Sequence, residues 1–234
     1  MKLSVVIPFY NEENMIQKMY DALAEEINKI TKAEFEIIFI NDGSKDRTFE
    51  KMLTIADGDS RVKYISFSRN FGKEAGTIAG LEYATGEAVI LMDGDLQHPP
   101  ALLPQMIKAY EEGYDVVSAR RTRTGEKPHR TFLAKHFYRL ANKMMDIELM
   151  DGVSEFRLFS RKAVSAILSL QEYNRFSKGI FAWIGFKEKV IEYENQVRTV
   201  GETKYSLKFS LNYAIQGILS FNDKPLRMCI NFGL

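Results

Sequence analysis

The first half of the chain alternates short apolar runs with longer stretches in which apolar residues recur every three or four positions. The apolar runs predict β-strands, and the three-to-four spacing predicts amphipathic helices. Strands are predicted at 3–9, 35–40, 62–67, 88–92 and 114–119, with helices at 12–30, 47–56, 73–84 and 99–112. This alternation is typical of βαβ units, so we predict an α/β fold whose mostly parallel sheet is covered by helices on both faces.

The pattern is weaker after residue 119. We predict a basic loop at 120–130, helices at 131–145, 162–170 and 206–219, and strands at 157–159 and 187–193. The apolar stripes of helices 131–145 and 206–219 suit a protein core and a membrane surface equally well.

Trp183 is close in sequence to Phe181 and Phe186. We expect it to pack in the core rather than to bind a sugar.

Composition favours one large core, because 45% of the 234 residues are hydrophobic. The 32 Lys and Arg nearly balance the 31 Asp and Glu, so no global charge attracts nucleic acid. One cysteine excludes an internal disulfide, and the N-terminus lacks a secretory signal, so we expect a cytosolic body. No linker divides the chain, and we predict one domain at 1–220.

The end of the chain, 228–234, is largely apolar. We interpret 221–234 as a juxtamembrane segment that leads towards membrane helices beyond the sequence. The alternative is the apolar terminus of a complete soluble protein. No apolar run in the sequence reaches the roughly 20 residues of a membrane-spanning helix.

Acidic residues follow two of the predicted strands. Asp42 comes soon after strand 35–40, while Asp93 and Asp95 come directly after strand 88–92. Ligands of open parallel sheets bind beyond the carboxyl ends of the strands, so these carboxylates are expected to face one crevice. Two carboxylates separated by Gly94 can bind one divalent cation, because glycine lets the backbone turn without crowding. By itself, an Asp-x-Asp sequence in a loop is more often a solvated turn.

Basic residues concentrate in 120–139, where Glu126 is the one acid. Guanidinium groups match phosphate oxygens, and each cation near an anionic membrane gains about 1 kcal/mol. A solvated basic loop is the alternative interpretation. The position directly after a predicted strand favours phosphate binding.

Four motifs occur in the order typical of glycosyltransferase family 2. They are PFYNEE at 8–13, NDGSKDRT at 41–48, RNFGKE at 69–74 and DGDLQHPP at 93–100. Within that family the chain resembles the polyprenyl-phosphate branch, which includes bactoprenol glucosyltransferases and dolichyl-phosphate mannose synthases. The further marks of the branch are FRL at 156–158, GETK at 201–204 and KPLR at 224–227. The resemblance covers essentially the whole chain.

The resemblance implies a GT-A fold, which is Rossmann-like, with a nucleoside diphosphate sugar as donor and Mg²⁺ or Mn²⁺ as cofactor. It assigns the nucleotide pocket to Pro8, Tyr10, Glu12, Asp42 and Asp93, and the metal ion to Asp93, Asp95 and Gln97. Asp95 and Glu155 are the candidate catalytic residues. The candidates for binding donor or acceptor phosphate are Arg121, Arg123, Arg130, Arg198 and Lys204.

The chain departs from the branch at three positions. Glu155 stands where Asp is usual, Thr203 replaces Ser, and Asn222 lies where Ser is common. The longer side chain of Glu155 can shift the placement of acceptor or sugar, whereas Thr203 keeps the hydroxyl.

We therefore expect an inverting transfer from a UDP-sugar, such as UDP-glucose, to polyprenyl (undecaprenyl) phosphate at the cytoplasmic face of the cell membrane. A phosphate monoester is largely anionic at neutral pH, since its second pKa is about 6. A strong base is then unnecessary, and we expect none of His98, His129 and His136 to act as one. The sequence leaves open whether the protein forms a homo-oligomer.

Three alternatives differ in their chemistry. A family 2 enzyme acting on a saccharide or protein hydroxyl would need a base such as Glu155. A non-catalytic nucleotide-binding or membrane-scaffold module would not need Asp93, Asp95 and Gln97, so their presence argues against it. A dinucleotide oxidoreductase is disfavoured because no Gly-x-Gly-x-x-Gly follows the first strand.

Overall fold

The strands of the protein are short and mostly buried. The structure is a computed structural model that describes residues 1–122, 139, 142–143, 145, 147–172, 175–194, 217, 219–222, 227, 230–231 and 233. The strands within these residues are β1 Lys2–Phe9, β2 Glu34–Asn41, β3 Val62–Ser66, β4 Ala88–Leu91, β5 Val116–Arg121, β6 Val153–Ser160 and β7 Glu188–Tyr193. They form one sheet in the order β3-β2-β1-β4-β6-β5-β7.

Helices alternate with most of these strands. They are α1 Ile16–Lys29, α2 Thr48–Gly58, α3 Lys73–Tyr83, α4 Leu103–Glu111, α5 Arg161–Ser169 and α6 Ser177–Trp183. A 3-10 turn, Pro100–Leu102, leads into α4 because proline is tolerated in a first helical turn. Within the described part of the chain, no helix combines the length and apolar character needed to cross a membrane.

The sheet is mostly parallel, as predicted. Strands β1, β2, β3 and β4 run in one direction, and β5 and β7 are parallel to each other. Strand β6 is antiparallel to its neighbours β4 and β5 on either side. The carboxyl ends of β1, β2, β3 and β4 therefore lie at the same edge, which is where ligands bind in such sheets.

Each face of the sheet has its own core. Alternate residues of β1, such as Val5 and Ile7, pack with α1, α2 and α4 on one face. Val6 points the other way and packs with α3, α5 and α6. Because both faces are covered, the central strands are apolar at nearly every position, as the sequence pattern predicted.

One glycine lets α3 lie close to the sheet. A β-carbon on Gly80 would lie 2.1 Å from Val6 Cγ1, whereas one on Gly76 would lie 3.4 Å from Pro8 Cβ, an ordinary contact. Gly80 lowers intrinsic helix stability, so its place in a helix is explained by close packing on β1.

At the amino edge of the sheet, a buried carboxylate joins three strands. The Glu36 side chain is 4% exposed. Its oxygens accept hydrogen bonds from Ser4 Oγ at 2.6 Å, Thr85 N at 2.6 Å and Lys63 Nζ at 2.8 Å. Burial acts to raise the pKa of Glu36, but the bonds from Lys63, Ser4 and Thr85 outweigh it and hold the pKa well below its usual range.

The second half of the chain agrees only partly with the sequence pattern. Strands β6 and β7 and helix α5 were predicted, whereas α6 was not. Trp183 is 56% exposed, so the prediction that it packs in the core is wrong; its ring lies 6.1 Å from that of Phe221. The predicted helices 131–145 and 206–219 lie almost entirely outside the described residues.

We predict that Gly80→Ala lowers the free energy of unfolding by roughly 1–3 kcal/mol, because the new methyl group must displace Val6 or the helix. Gly58→Ala is the matched control, since a β-carbon there meets nothing within 4 Å. It should leave stability unchanged or raise it slightly. Urea unfolding measures both variants, and equal midpoints would contradict the packing argument.

We predict that Glu36 makes the fold sensitive to acid. Its folded-state pKa is lowered, so its stabilisation is complete above the unfolded-state value of about 4.3 and is lost as pH falls below that value. Glu36→Gln should be less stable at pH 7 and lose less stability between about pH 5 and pH 3. Urea unfolding across this range tests the slope, and parallel curves would rule out Glu36 as the source.

Candidate functional site

The loop after β4 is fitted tightly against the end of β1. A β-carbon on Gly94 would lie 2.3 Å from Cε1 of Phe9. The Phe9 ring cannot easily retreat, because it is buried and meets the ring of Phe39 edge-on at 5.3 Å. Gly94 therefore serves close packing between loop and strand. The expected reason, a tight turn, is not the one that the structure gives.

His98 holds the same loop from inside. Its Nδ1 accepts a hydrogen bond from the backbone N–H of Asp93 at 2.9 Å. The imidazole is buried and stacks on Phe156, with ring centroids 5.4 Å apart and planes 18° from parallel. Burial lowers the pKa of His98, which keeps the ring neutral and Nδ1 able to accept. This position agrees with the expectation that His98 is structural.

Asp93 carries a negative charge that Lys73 balances. Lys73 Nζ lies 2.5 Å from Asp93 Oδ1, and both side chains are about one-third exposed, at 32% and 30%. Burial acts to raise the pKa of Asp93, but the charge and hydrogen bond of Lys73, together with the charges of His98 and Lys178, outweigh it and lower the pKa to about 2. Asp93 is therefore ionised at neutral pH. The sequence motif at 69–74 contained Lys73, yet nothing in the pattern paired it with this carboxylate.

Asp95 shapes the turn that follows. Its Oδ1 accepts the backbone N–H of Gln97 at 3.1 Å. Leu96 between them has φ of 60°, a left-handed conformation that is strained for an aliphatic side chain. The Leu96 side chain packs against the core beneath the loop. Strain of this kind persists where surrounding packing imposes it, and it is frequent at functional sites.

Glu155 approaches the two aspartates from β6. In the antiparallel pairing of β4 with β6, Leu91 is opposite Arg157. Continuing that register by two residues places Glu155 opposite Asp93, on the same face of the sheet. The charges of Asp95 and Glu155 both act to raise the pKa of His98, against the larger effect of its burial. Among the described residues, no three His, Cys, Asp or Glu side chains are grouped so that they could hold a metal ion by themselves.

Asp42 directly follows β2, and its side chain is buried. Its two carboxylate oxygens accept the backbone N–H groups of Phe71 and Gly72, at 2.7 and 3.0 Å. Asp42 is buried, and this burial raises its pKa. The residue therefore fixes the start of α3, where Lys73 is the first helical residue. Asp42 and Asp93 are linked through one short segment rather than by sharing an open crevice.

A cleft of about 570 Å³ lies beside this segment, at the carboxyl ends of β2 and β3. Tyr10 is the member of the predicted nucleotide set that lines it, together with Ser44, Lys45 and Arg69 among others. Pro8 lies at the end of β1 beneath Gly76 of α3.

Hydrogen bonds connect the loop after β1 to the loop after β2 beside this cleft. Asn11 N donates to Ser44 Oγ at 3.0 Å, and Lys45 N donates to Asn11 Oδ1 at 2.8 Å. Glu12, another residue of the predicted nucleotide set, donates its backbone N–H to Thr48 Oγ1 at 2.8 Å. Asn11 has φ of 51°, a left-handed conformation that asparagine tolerates. The polar residues of the 41–48 motif thus build the wall of the cleft.

Arg121 is exposed at the end of β5, on the side of the loop opposite α3. Burial raises the pKa of Tyr193, whereas its hydrogen bond with Ser154 and the charge of Arg121 act against that effect. Arg121 is the register partner of Tyr193 in the parallel pairing of β5 with β7, so both lie at the carboxyl edge of the sheet. The other predicted phosphate ligands, Arg123, Arg130, Arg198 and Lys204, lie outside the described residues.

Comparison with known proteins gives consistent results. The profile of "Glycosyl transferase family 2" matches residues 4–168. The chain is 50% identical over 232 residues to "Putative glycosyltransferase CsbB" of Bacillus subtilis (strain 168), covering 99% of this chain and 70% of the relative. It is 40% identical over 235 residues to "Prophage bactoprenol glucosyl transferase homolog" of Escherichia coli (strain K12), covering 100% of this chain and 76% of the relative.

A solved structure supports the fold. Glucosyl-3-phosphoglycerate synthase from Mycobacterium tuberculosis, in complex with Mn²⁺, UDP-glucose and phosphoglyceric acid, superimposes with a TM-score of 0.61 at 19% identity. The superposition covers 93% of this chain and 77% of that protein. The predicted GT-A fold is confirmed by this likeness. With the family profile covering most of the sheet and the relatives matching almost the whole chain, this protein belongs to glycosyltransferase family 2.

Proposed function

We propose that this glycosyltransferase moves glucose from UDP-glucose to polyprenyl (undecaprenyl) phosphate at the cytoplasmic face of the cell membrane. The observation that carries the proposal is the 40% identity, over the whole chain, with a protein named as a bactoprenol glucosyl transferase homolog. The donor choice is supported by the fold, since a neighbour of the same architecture was solved with UDP-glucose.

The residues at the end of β4 fit a divalent cation in their chemistry. Asp93, Asp95 and Gln97 would offer carboxylate and amide oxygens, which Mg²⁺ and Mn²⁺ accept readily. Fewer than three acidic or histidine ligands suffice when substrate phosphates complete the coordination, as is usual for Mg²⁺. When bound, the ion would neutralise negative charge on the nucleoside diphosphate as it leaves.

The protein's own residues would position donor and acceptor. The nucleoside would occupy the cleft beside Tyr10, with its diphosphate directed towards Asp93 and Asp95. Arg121, at the other side of the loop, would bind the acceptor phosphate by charge-assisted hydrogen bonds. Arg123, Arg130, Arg198 and Lys204 remain predicted partners of these phosphates.

The reaction would then need little proton transfer. An oxygen of the lipid phosphate attacks the anomeric carbon while the bond from that carbon to the diphosphate oxygen breaks on the opposite face. Configuration inverts, and the leaving diphosphate carries the electron pair away. Because the attacking phosphate is already anionic near neutral pH, Glu155 would orient the sugar or the acceptor rather than remove a proton.

We predict that the protein releases UDP from UDP-glucose when Mn²⁺ or Mg²⁺ and polyprenyl phosphate are both present. Asp95→Ala should reduce this turnover by at least about a thousandfold, since it removes a ligand that stabilises the leaving group. The matched control is Asp57→Ala, at an exposed position of α2, which should keep full activity. GDP-sugars and soluble saccharide acceptors are run in parallel. Equal turnover in the Asp95 variant rejects the site, and transfer to saccharides in place of the lipid rejects the acceptor.

We predict that Glu155→Gln distinguishes the two classes of acceptor. With a phosphate acceptor, kcat should fall by less than about tenfold and its pH profile should keep its shape, because no proton is removed at Glu155. With a hydroxyl acceptor, the loss of a general base should cost about 10²- to 10⁴-fold. Rates of UDP release between pH 6 and pH 9 measure the difference.

A further inference from the structure

The ion pair between Lys73 and Asp93 places an ammonium group at a carboxylate that the proposed metal ion would also need. The two atoms are 2.5 Å apart, and neither side chain is fully buried. Lys73 therefore supplies positive charge to this carboxylate.

The position of Lys73 is set by the fold. Asp42 binds the backbone N–H groups of Phe71 and Gly72, so the first turn of α3 starts at a fixed point beside β2. Gly80 lets the same helix pack closely on β1. The backbone of Lys73 is thus anchored, while its four-carbon side chain can move its charge by several ångströms.

A divalent cation at Asp93 would meet this ammonium at short range. Like charges a few ångströms apart repel strongly near a protein surface. A diphosphate entering from the cleft would offer the ammonium a new partner, and lysine is a common point-charge ligand of phosphate. The partial exposure of the Lys73 side chain is consistent with that movement.

We propose that Lys73 binds the donor's diphosphate, and that in the donor-free protein Asp93 holds this lysine in competition with the metal ion. The inference rests on the proposed use of a nucleoside diphosphate sugar. It implies that the metal ion and the nucleotide bind together. The diphosphate that coordinates the metal ion also draws Lys73 away from Asp93. Metal binding and nucleotide binding should consequently respond in opposite directions when Lys73 loses its charge.

The test is to measure Mn²⁺ binding alone, and UDP binding in the presence of Mn²⁺, by isothermal titration calorimetry. Lys73→Met should bind Mn²⁺ alone at least about threefold more tightly, since the competing cation is gone. It should bind UDP about 10- to 100-fold more weakly, since a charged hydrogen bond is lost. Lys73→Arg keeps the charge and should hold UDP affinity within about tenfold of the wild type.

Lys63→Met is the matched control, because it also removes a lysine paired with a carboxylate of low exposure, Glu36, at the opposite edge of the sheet. It should leave both binding constants unchanged. Circular dichroism confirms that each variant is folded.

If Lys73→Met weakens Mn²⁺ and UDP binding together, or changes neither, the competition is rejected. If the wild type binds UDP with Mn²⁺ but glucosylates no lipid phosphate, the proposed acceptor fails while the Lys73 inference is still decided by these constants. A wild type that binds no UDP overturns both.

Discussion

The candidate site depends on one close contact, between Gly94 and the ring of Phe9. Phe9 is the last residue of β1 and is buried in the core, so the loop after β4 has a fixed surface to lie on. A side chain at position 94 would force the loop or the ring to shift, since a β-carbon there lies 2.3 Å from the ring. The backbone of Asp93 is then tied to His98, which rests on Phe156 of β6. Strands β1, β4 and β6 are neighbours in the sheet, so the sheet order itself determines where the carboxylates lie.

Charge placement follows from the same order. Helix α3 packs on β1 through Gly76 and Gly80, and its first residue, Lys73, reaches Asp93 beyond β4. From the other side, the β4–β6 register continued beyond Leu91 places Glu155 opposite Asp93, and β5 ends in Arg121. Acidic groups therefore occupy the middle of the sheet edge, with a cation from α3 on one side and one from β5 on the other. This arrangement suits a donor that carries a diphosphate and an acceptor that carries a phosphate.

The strands and the acidic loop could be predicted because their signals are local. An apolar run followed by Asp-Gly-Asp indicates both a strand and the polar loop that follows it. The predicted bounds of β1, β2, β3 and β4 differ from those in the structure by one or two residues in total for each strand. The partnership of Lys73 with Asp93 could not be predicted, because it depends on how closely α3 approaches β1. The role of Gly94 could not be predicted either, because it is set by a contact with the ring of Phe9, 85 residues earlier in the chain. Helix α6 has only seven residues, too few to show a helical stripe, and Trp183 at its end was wrongly assigned to the core.

The carboxylates at the two edges of the sheet, Glu36 and Asp93, differ in exposure and in bonding. This difference separates the structural role of Glu36 from the proposed role of Asp93. Glu36 at the amino edge is 4% exposed and accepts bonds from Ser4, Thr85 and Lys63, so its oxygens are saturated and inaccessible to a ligand. Asp93 at the carboxyl edge is 30% exposed and is paired with Lys73. A neighbouring lysine helps to lower the pKa of both carboxylates, so both are ionised at neutral pH. The oxygens of Glu36 are occupied by bonds within the sheet, whereas Asp93 is partly open to solvent, so the proposed exchange of a lysine for a metal ion is confined to the carboxyl edge.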